Sequence, residues 1–411
     1  MSWNQIKKTH VAAAAVVLFL LGAGYSHYAR TRRVGLRDFA TFFTEGRPVG
    51  VATGDNLARL HVSPSDLHEG AQSGGVRYLG PTEYLNHMRA VVTHTVDDSS
   101  DSLPASIDAM DKYGIKATIF VSTEVSPIAS LWPRLEEGVR NGHEIGSHSR
   151  RHQCQWPDTL PFCFRAFGDE EVTGSRDDIL RHTTQPHVWS FGYPCGNCNT
   201  FEFVHRKLAR AGYLVARNYP DELHDGQILP DLQTYDKDPY NATYTQAVQK
   251  RGGIARTGRT DVAAVNGKFD EVYAHGGIYN FLSHPELLDY GPDKFYEQHL
   301  SHVGNHADIW YVPMGPLYAY HSVHENTTVK ALDPGPARAR FAVYHNLDPK
   351  IFPNCITLQF TGPSFSQVRS GGVAVSERHA GMTDRWDEEY YRREGDTVYL
   401  TIRPNTIVEF L

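Results

Sequence analysis

Apolar positions along the chain follow two rhythms. From residue 89 to about 212, short β-branched runs alternate with stretches whose apolar residues recur at three and four, the spacings of buried strands and one-sided helices. Arg89-Ala-Val-Val-Thr-His-Thr-Val96 reads as a buried strand that breaks at Asp97-Asp98-Ser99-Ser100. Ser102 then offers an N-cap, Pro104 suits the first turn, and Leu103, Ile107 and Met110 share a face. Gly114 stops this helix before the strand Ala117–Val121. The alternation predicts a helix near 131–141, a strand near 143–146, a helix near 169–182, a strand near 188–191 and a helix near 201–211. Repeated crossovers of this kind imply parallel strands with helices outside them.

Residues 218–270 show no assignable period. Beyond them order returns over 271–276, a helix around 293–304 and a strand over 308–312 are predicted, and from about 330 the period shortens to two. The runs 341–344, 356–360, 373–375 and 398–402, separated by Gly, Pro, Asn and Asp, predict a small antiparallel β domain over 330–411, for packing or an accessory glycan contact. Residues 35–88, with weak periodicity, read as a linker and irregular region. Ahead of them, residues 11–29 hold no Lys, Arg, Asp or Glu and are flanked by Lys7, Lys8, Arg30, Arg32 and Arg33. That length suits a tilted membrane helix, whereas Gly22-Ala23-Gly24 offers a small-residue cleavage site, so residues 1–34 read as a membrane anchor or a signal segment. With no second apolar span, the expectation is a membrane-tethered protein with an extracytoplasmic catalytic domain, or a secreted one.

Composition narrows the partners. The 411 residues allow one large domain and a small one, and 40% hydrophobic with 21% charged residues is a globular balance. A net charge of −7 with scattered Lys and Arg excludes a nucleic-acid footprint. Of the five cysteines, Cys154 and Cys163 lie close together, Cys195 and Cys198 form a C-x-x-C, and Cys355 is odd. Export and local spacing predict two local disulfides, Cys154 with Cys163 and Cys195 with Cys198, against a free or reactive pair.

The candidate chemistry sits where strands end, the face on which α/β barrels carry their sites. Asp97-Asp98 can present two carboxylates to one place, one to bind a metal and one to take a proton. His148 and His152, at i and i+4, are expected on one face of a helical turn as chelators. A two-His, one-carboxylate set with open positions suits a divalent ion and hydrolysis, zinc by ligand type, with other transition metals open. Two further segments complete the order: Phe191-Gly-Tyr-Pro-Cys-Gly196 and Leu282-Ser-His284-Pro285.

Thr95-Val-Asp97-Asp98, the H-x-x-x-H pair, the Pro- and Gly-containing loop and L-x-H together resemble the polysaccharide deacetylase, or chitin-deacetylase-like, family over about residues 89–322. The resemblance implies an α/β fold, a distorted (β/α) barrel over 89–325 with the small C-terminal antiparallel β domain beside it. It implies Asp97 as base, Asp98, His148 and His152 as ligands of one divalent ion, His284 as general acid, and the backbone N–H of Cys195 as an oxyanion donor. The implied reaction removes acetyl groups, N-acetyl before O-acetyl, from an extracellular or cell-wall polysaccharide or oligosaccharide. A metal-dependent amidase on a non-sugar amide and an inactive glycan-binding protein are the alternatives. Three residues depart from the family pattern: Ser99 stands for a Gly, Gly192 for an Arg that orients the base, and Cys195 for an aromatic. Asp221 and Asp236 are the candidates for tuning the acid. Trp189, Tyr193 and Tyr279 are expected to flank the pocket, while His275, His299, His302 and His306 are read as ordinary histidines rather than a second metal site.

Overall fold

The computed structural model describes residues 56–62, 67–68, 70–219, 231, 237–248, 262–335, 337–378 and 385–411. The N-terminal apolar segment lies outside these residues, as do Asp221 and Asp236. Among the described residues no helix is long and apolar enough to cross a membrane.

After a single helical turn at Asn56–Arg59 come three short strands, β1 (Leu67–His68), β2 (Gln72–Ser73) and β3 (Val76–Pro81). The barrel strands follow. β4 (Ala90–Asp97), β5 (Ala117–Val121), β6 (Glu144–Ser147), β7 (Ser190–Gly192) and β8 (Val215–Arg217) pair in parallel in that order. On the other edge of β4 lies β10 (Ile278–Ser283), itself paired with β9 (Gln246–Ala247). A parallel bridge between Arg217 and Ala242 links β8 to the segment entering β9 and brings the sheet round on itself. β11 (Ile309–Tyr311) pairs with the first half of β4. The result is the distorted (β/α) barrel that the resemblance implied.

Alternation along each strand separates two environments. Outward residues such as Val92, Val96, Ile119 and Ile145 pack with Leu103, Ile107 and Met110 of α1 (Leu103–Lys112) and Leu131 and Leu135 of α2 (Ile128–Arg140). The outer layer continues with α3 (Leu160–Ala166), α4 (Asp169–His182), α5 (Glu202–Ala211), α6 (Val262–His275), α7 (Phe295–Val303) and α8 (Met314–Asn326). The order that returns over 271–276 is the end of α6, where Val265, Phe269 and Val272 bury one face at helical spacing. A strand lies just after it, β10.

The N-terminal mouth of the barrel is closed by a polar plug. The buried carboxylate of Glu144 accepts hydrogen bonds from Thr118 Oγ1 (2.6 Å), Ser190 Oγ (3.0 Å) and the backbone N–H groups of Ser190 (3.1 Å) and Gly315 (2.9 Å). Gly315 lies in the first turn of α8, where an acceptor satisfies an otherwise unpaired N–H and meets the positive end of the helix dipole. A Cβ on Gly315 would stand 2.3 Å from Glu144 Oε1 and 2.6 Å from Trp189 Cβ, so only glycine lets the helix reach the plug.

The C-terminal strands are β12 (Thr328–Leu332), β13 (Ala339–Tyr344), β14 (Ile356–Thr361), β15 (Val368–Ser370), β16 (Val373–Glu377), β17 (Tyr390–Glu394), β18 (Thr397–Ile402) and β19 (Thr406–Phe410). They pair antiparallel apart from β16 with β17. Phe341, Phe360 and Phe410 meet inside, with centroids 5.1 Å apart from Phe341 to Phe360 and from Phe360 to Phe410. β1 joins β12 and β3 joins β14, so part of the stretch read as linker belongs to this sheet. A strand whose partner lies far along the chain gives no local periodicity strong enough to read. The sheet packs on the N-terminal side of the barrel, where Trp189 Nε1 donates to Ile351 O (2.7 Å) and Tyr320 Oη to Thr82 O (3.0 Å).

Candidate active site

At the opposite mouth, each barrel strand releases a polar residue. Asp97 ends β4 on the inward face that also carries Thr93 and Thr95. Across the barrel, Arg217 ends β8, and its Nη2 donates to both carboxylate oxygens of Asp97. Both side chains are buried, and the guanidinium lies 5.3 Å over the Phe120 ring. Burial pushes the Asp97 carboxyl up, but Arg217, with His148 and His284, outweighs burial and holds it below the usual carboxylate range. Asp97 is therefore an ionised, fixed acceptor. Arg217 was not identified from sequence; the available signal was a charged residue terminating the apolar run Leu214-Val-Ala216.

Asp98 follows in the left-handed region, φ 77°, which turns its carboxylate to the other side of the strand end. His152 Nε2 lies 3.2 Å and His148 Nε2 3.7 Å from Asp98 Oδ1, and one ligand atom from each of the three falls within 4.8 Å of the others. The two histidines do not share a helical turn as expected. They leave β6 in an irregular loop, with positive φ at Ser149 (62°) and His152 (48°) folding the second imidazole back toward the first. His148 Nδ1 donates to Gly192 O (2.7 Å), which leaves Nε2 with its lone pair toward Asp98. Burial pushes His148 down to about 3 and also lowers His152, so both imidazoles are neutral at pH 7. Burial pushes the Asp98 carboxyl up to about 6, and a cation beside it would reverse that shift. Two neutral imidazoles and one carboxylate fit a divalent transition metal.

His284 follows β10, its Nε2 3.7 Å from Asp97 Oδ2 and 4.0 Å from Asp98 Oδ2. The Tyr219 ring meets it edge-on, with centroids 5.6 Å apart. Cys195 sits in the turn after β7 with φ 54°. The disulfides differ from the expected local pairs: Cys154 bonds Cys195 and Cys163 bonds Cys198. Both bridges tie the loop after His152 to the loop after β7, because the barrel sets neighbouring strand ends side by side. Their sulfurs are thus unavailable as thiolate ligands to a metal ion beside His152 or Asp158.

Of the aromatics expected at the pocket, Trp189, Tyr193 and Tyr279 are all buried in the core. Trp189 belongs to the opposite mouth, and Tyr279 Oη hydrogen-bonds His299 Nε2 (2.8 Å). His302 pairs with Asp270 (2.7 Å) and His306 Nε2 lies 2.9 Å from His302 O, consistent with ordinary packing.

Residues 86–215 match the family model for polysaccharide deacetylase. Over those residues the chain is similar to the polysaccharide deacetylase family. No curated protein matches the sequence. Among solved structures, the chain is similar to the Xyl-CE4 domain of a multidomain xylanase from the hindgut metagenome of Trinervitermes trinervoides, at 16% identity and TM-score 0.35, covering 57% of this chain and 91% of that one. It is also similar to the family 4 carbohydrate esterase from Streptomyces lividans, at 15% identity and TM-score 0.33, over 53% and 86% of the two chains. For the Puue allantoinase the identity is 14% and the TM-score 0.43, over 60% and 95%.

The departures from the family pattern have local physical reasons. Ser99 Oγ accepts from Ser122 N (3.1 Å) and so ties the exit of β4 to that of β5. At Gly192 a Cβ would lie 2.9 Å from Phe120 Cγ and 3.0 Å from His148 Nδ1, so the strand has no room there for a side chain. The guanidinium beside Asp97 comes from β8 instead. The family match ends before Arg217 and His284, and the barrel topology brings both to the matched residues.

Proposed function

We propose that the domain is a metal-dependent hydrolase that removes acetyl groups, N-acetyl first, from an extracellular or cell-wall polysaccharide. The observation that carries this reading is the juxtaposition of a two-His, one-carboxylate ligand set with a second carboxylate clamped by arginine and a histidine 3.7 Å from it. Asp98, His148 and His152 would hold one divalent ion, zinc by donor type. Such an ion supplies Lewis acidity to an acyl oxygen and acidifies water. Asp97, ionised and fixed by Arg217, takes the proton of the attacking water. His284, on the far side of the pair, gives a proton to the departing amine or alcohol. The backbone N–H of Cys195, on a loop held by its disulfide, faces the charge that develops on the acyl oxygen. Two disulfides accord with an exported protein, delivered by residues 1–34 as anchor or signal.

Acetate release from a panel of N- and O-acetylated oligosaccharides, with and without a chelator, tests the proposal. The expected result is release that chelation abolishes and added zinc restores. Metal-loaded protein that binds the glycans but frees no acetate from any of them would overturn it.

A further inference from the structure

The aromatics predicted beside the pocket are buried, yet another is presented there. Trp156 is 62% exposed, four residues beyond His152, so their Cα atoms are at most about 15 Å apart. Leaving so large an apolar ring in water forgoes the stabilisation of burying it. Two of the exposed large apolar side chains among the described residues, Trp156 and Leu160, lie on this loop and at its end, while Leu79 and Val373 belong to the β sheet on the other side of the barrel.

The loop that carries Trp156 is held on both sides of it. Asn197, fully buried, accepts from Gln155 N (2.9 Å) and donates through Nδ2 to Gln155 O (3.0 Å) and Asp158 Oδ1 (2.7 Å). The other carboxylate oxygen of Asp158 accepts from Cys198 N (2.6 Å), and Gln155 Nε2 donates to Thr159 Oγ1 (3.0 Å). The Cys154–Cys195 and Cys163–Cys198 bridges bracket the segment. Its backbone is thus ordered before any ligand arrives, which removes most of the ordering cost that a mobile loop would add to binding.

We infer that Trp156 is a stacking platform for a sugar ring next to, or one unit beyond, the acetylated residue, and so selects oligomeric over small substrates. This deepens the deacetylase reading and rests on it. The flat C–H face of a pyranose matches an indole face, and the residues beside Trp156 in sequence, Gln153, Gln155, Asp158 and Thr159, make its surroundings polar. A protein partner would call for a much larger contiguous apolar patch than one ring inside a polar rim.

The test compares wild type, W156F and W156A as full-length, zinc-loaded proteins. Substrates are a tetramer of N-acetylglucosamine, O-acetylated xylotetraose and 4-nitrophenyl acetate. On whichever tetramer is turned over, W156A should raise KM about three- to tenfold with kcat little changed, W156F should keep most of the affinity, and 4-nitrophenyl acetate should be hydrolysed equally by all three. An unchanged tetramer KM in W156A, or an equal loss on 4-nitrophenyl acetate, overturns the inference. If wild type frees no acetate from either tetramer, the deacetylase reading fails by itself, and tryptophan fluorescence during tetramer titration decides the platform. Quenching present in wild type and lost in W156A upholds it; equal quenching in both, or none in either, overturns it.

Discussion

Replacing Arg217 by methionine tests the feature on which the site's order depends most. The side chain is fully buried and contributes the guanidinium that clamps both oxygens of Asp97. Methionine keeps much of the apolar stem but removes the guanidinium that lies over Phe120, and it leaves Asp97 as a buried carboxylate without its cation. Breaking a buried ion pair from one side costs about 3–5 kcal/mol, because the remaining charge has lost its compensation. R217M should therefore lower the unfolding free energy by about that amount, whereas the R217M/D97N double variant should recover a large part of the loss. Turnover should fall about 10²- to 10⁴-fold in R217M and in D97N, the range of a general base, with metal content near wild type in both. Lysine should rescue R217M only in part, since one ammonium cannot reproduce the planar fork. Urea unfolding followed by fluorescence, metal analysis and acetate release provide the readouts. Wild-type stability and turnover in R217M would refute the reasoning, and so would additive stability losses in the double variant.

The ligand residues should behave differently: D98N and H148A should lose zinc and acetate release together, and metal analysis showing full zinc in either would contradict their assignment. Non-reducing peptide mapping should recover Cys154 linked to Cys195 and Cys163 to Cys198, with Cys355 as the free thiol. On the outer layer, burial pushes the Asp111 carboxyl up, but hydrogen bonds from His143, Asn141 and Arg134 outweigh it and hold the group well below the usual range. A depressed carboxyl contributes stability that is complete above its unfolded pKa of about 3.9 and is lost as pH falls toward the folded value. Urea midpoints of wild type should thus fall more steeply below about pH 4 than those of D111N, and parallel curves would contradict the assignment.

Much of the barrel is legible in local pattern. The run Ala90 to Val96 and the helix Leu103 to Lys112 can be read because parallel strands buried on both faces are continuously apolar and their covering helices are one-sided. Asp97, Asp98, His148, His152 and His284 can be picked out because strand ends concentrate polar residues in recognisable order. The type of element over 271–276 is not legible where a short run carries both signals, and only the burial of Val265, Phe269 and Val272 on one face marks it as the end of α6. The histidine pair shows the same limit, since its spacing permits a helical turn but its chelating geometry comes from left-handed residues in a loop.

By itself the sequence determined most of the kinds of element, the candidate residues for holding a metal and moving protons, and the family their order resembles. These follow from periodicity and side-chain chemistry, which are local properties. Only the tertiary structure decided which distant groups meet. It brought Arg217 across the barrel to Asp97, exchanged the cysteine partners, and drew β1 and β3 into the C-terminal sheet. It also buried Trp189, Tyr193 and Tyr279 while leaving Trp156 exposed. The physical reason is common to all of these: closing a barrel makes neighbours of strand ends far apart in the chain, and contacts across such separations leave no trace in local spacing.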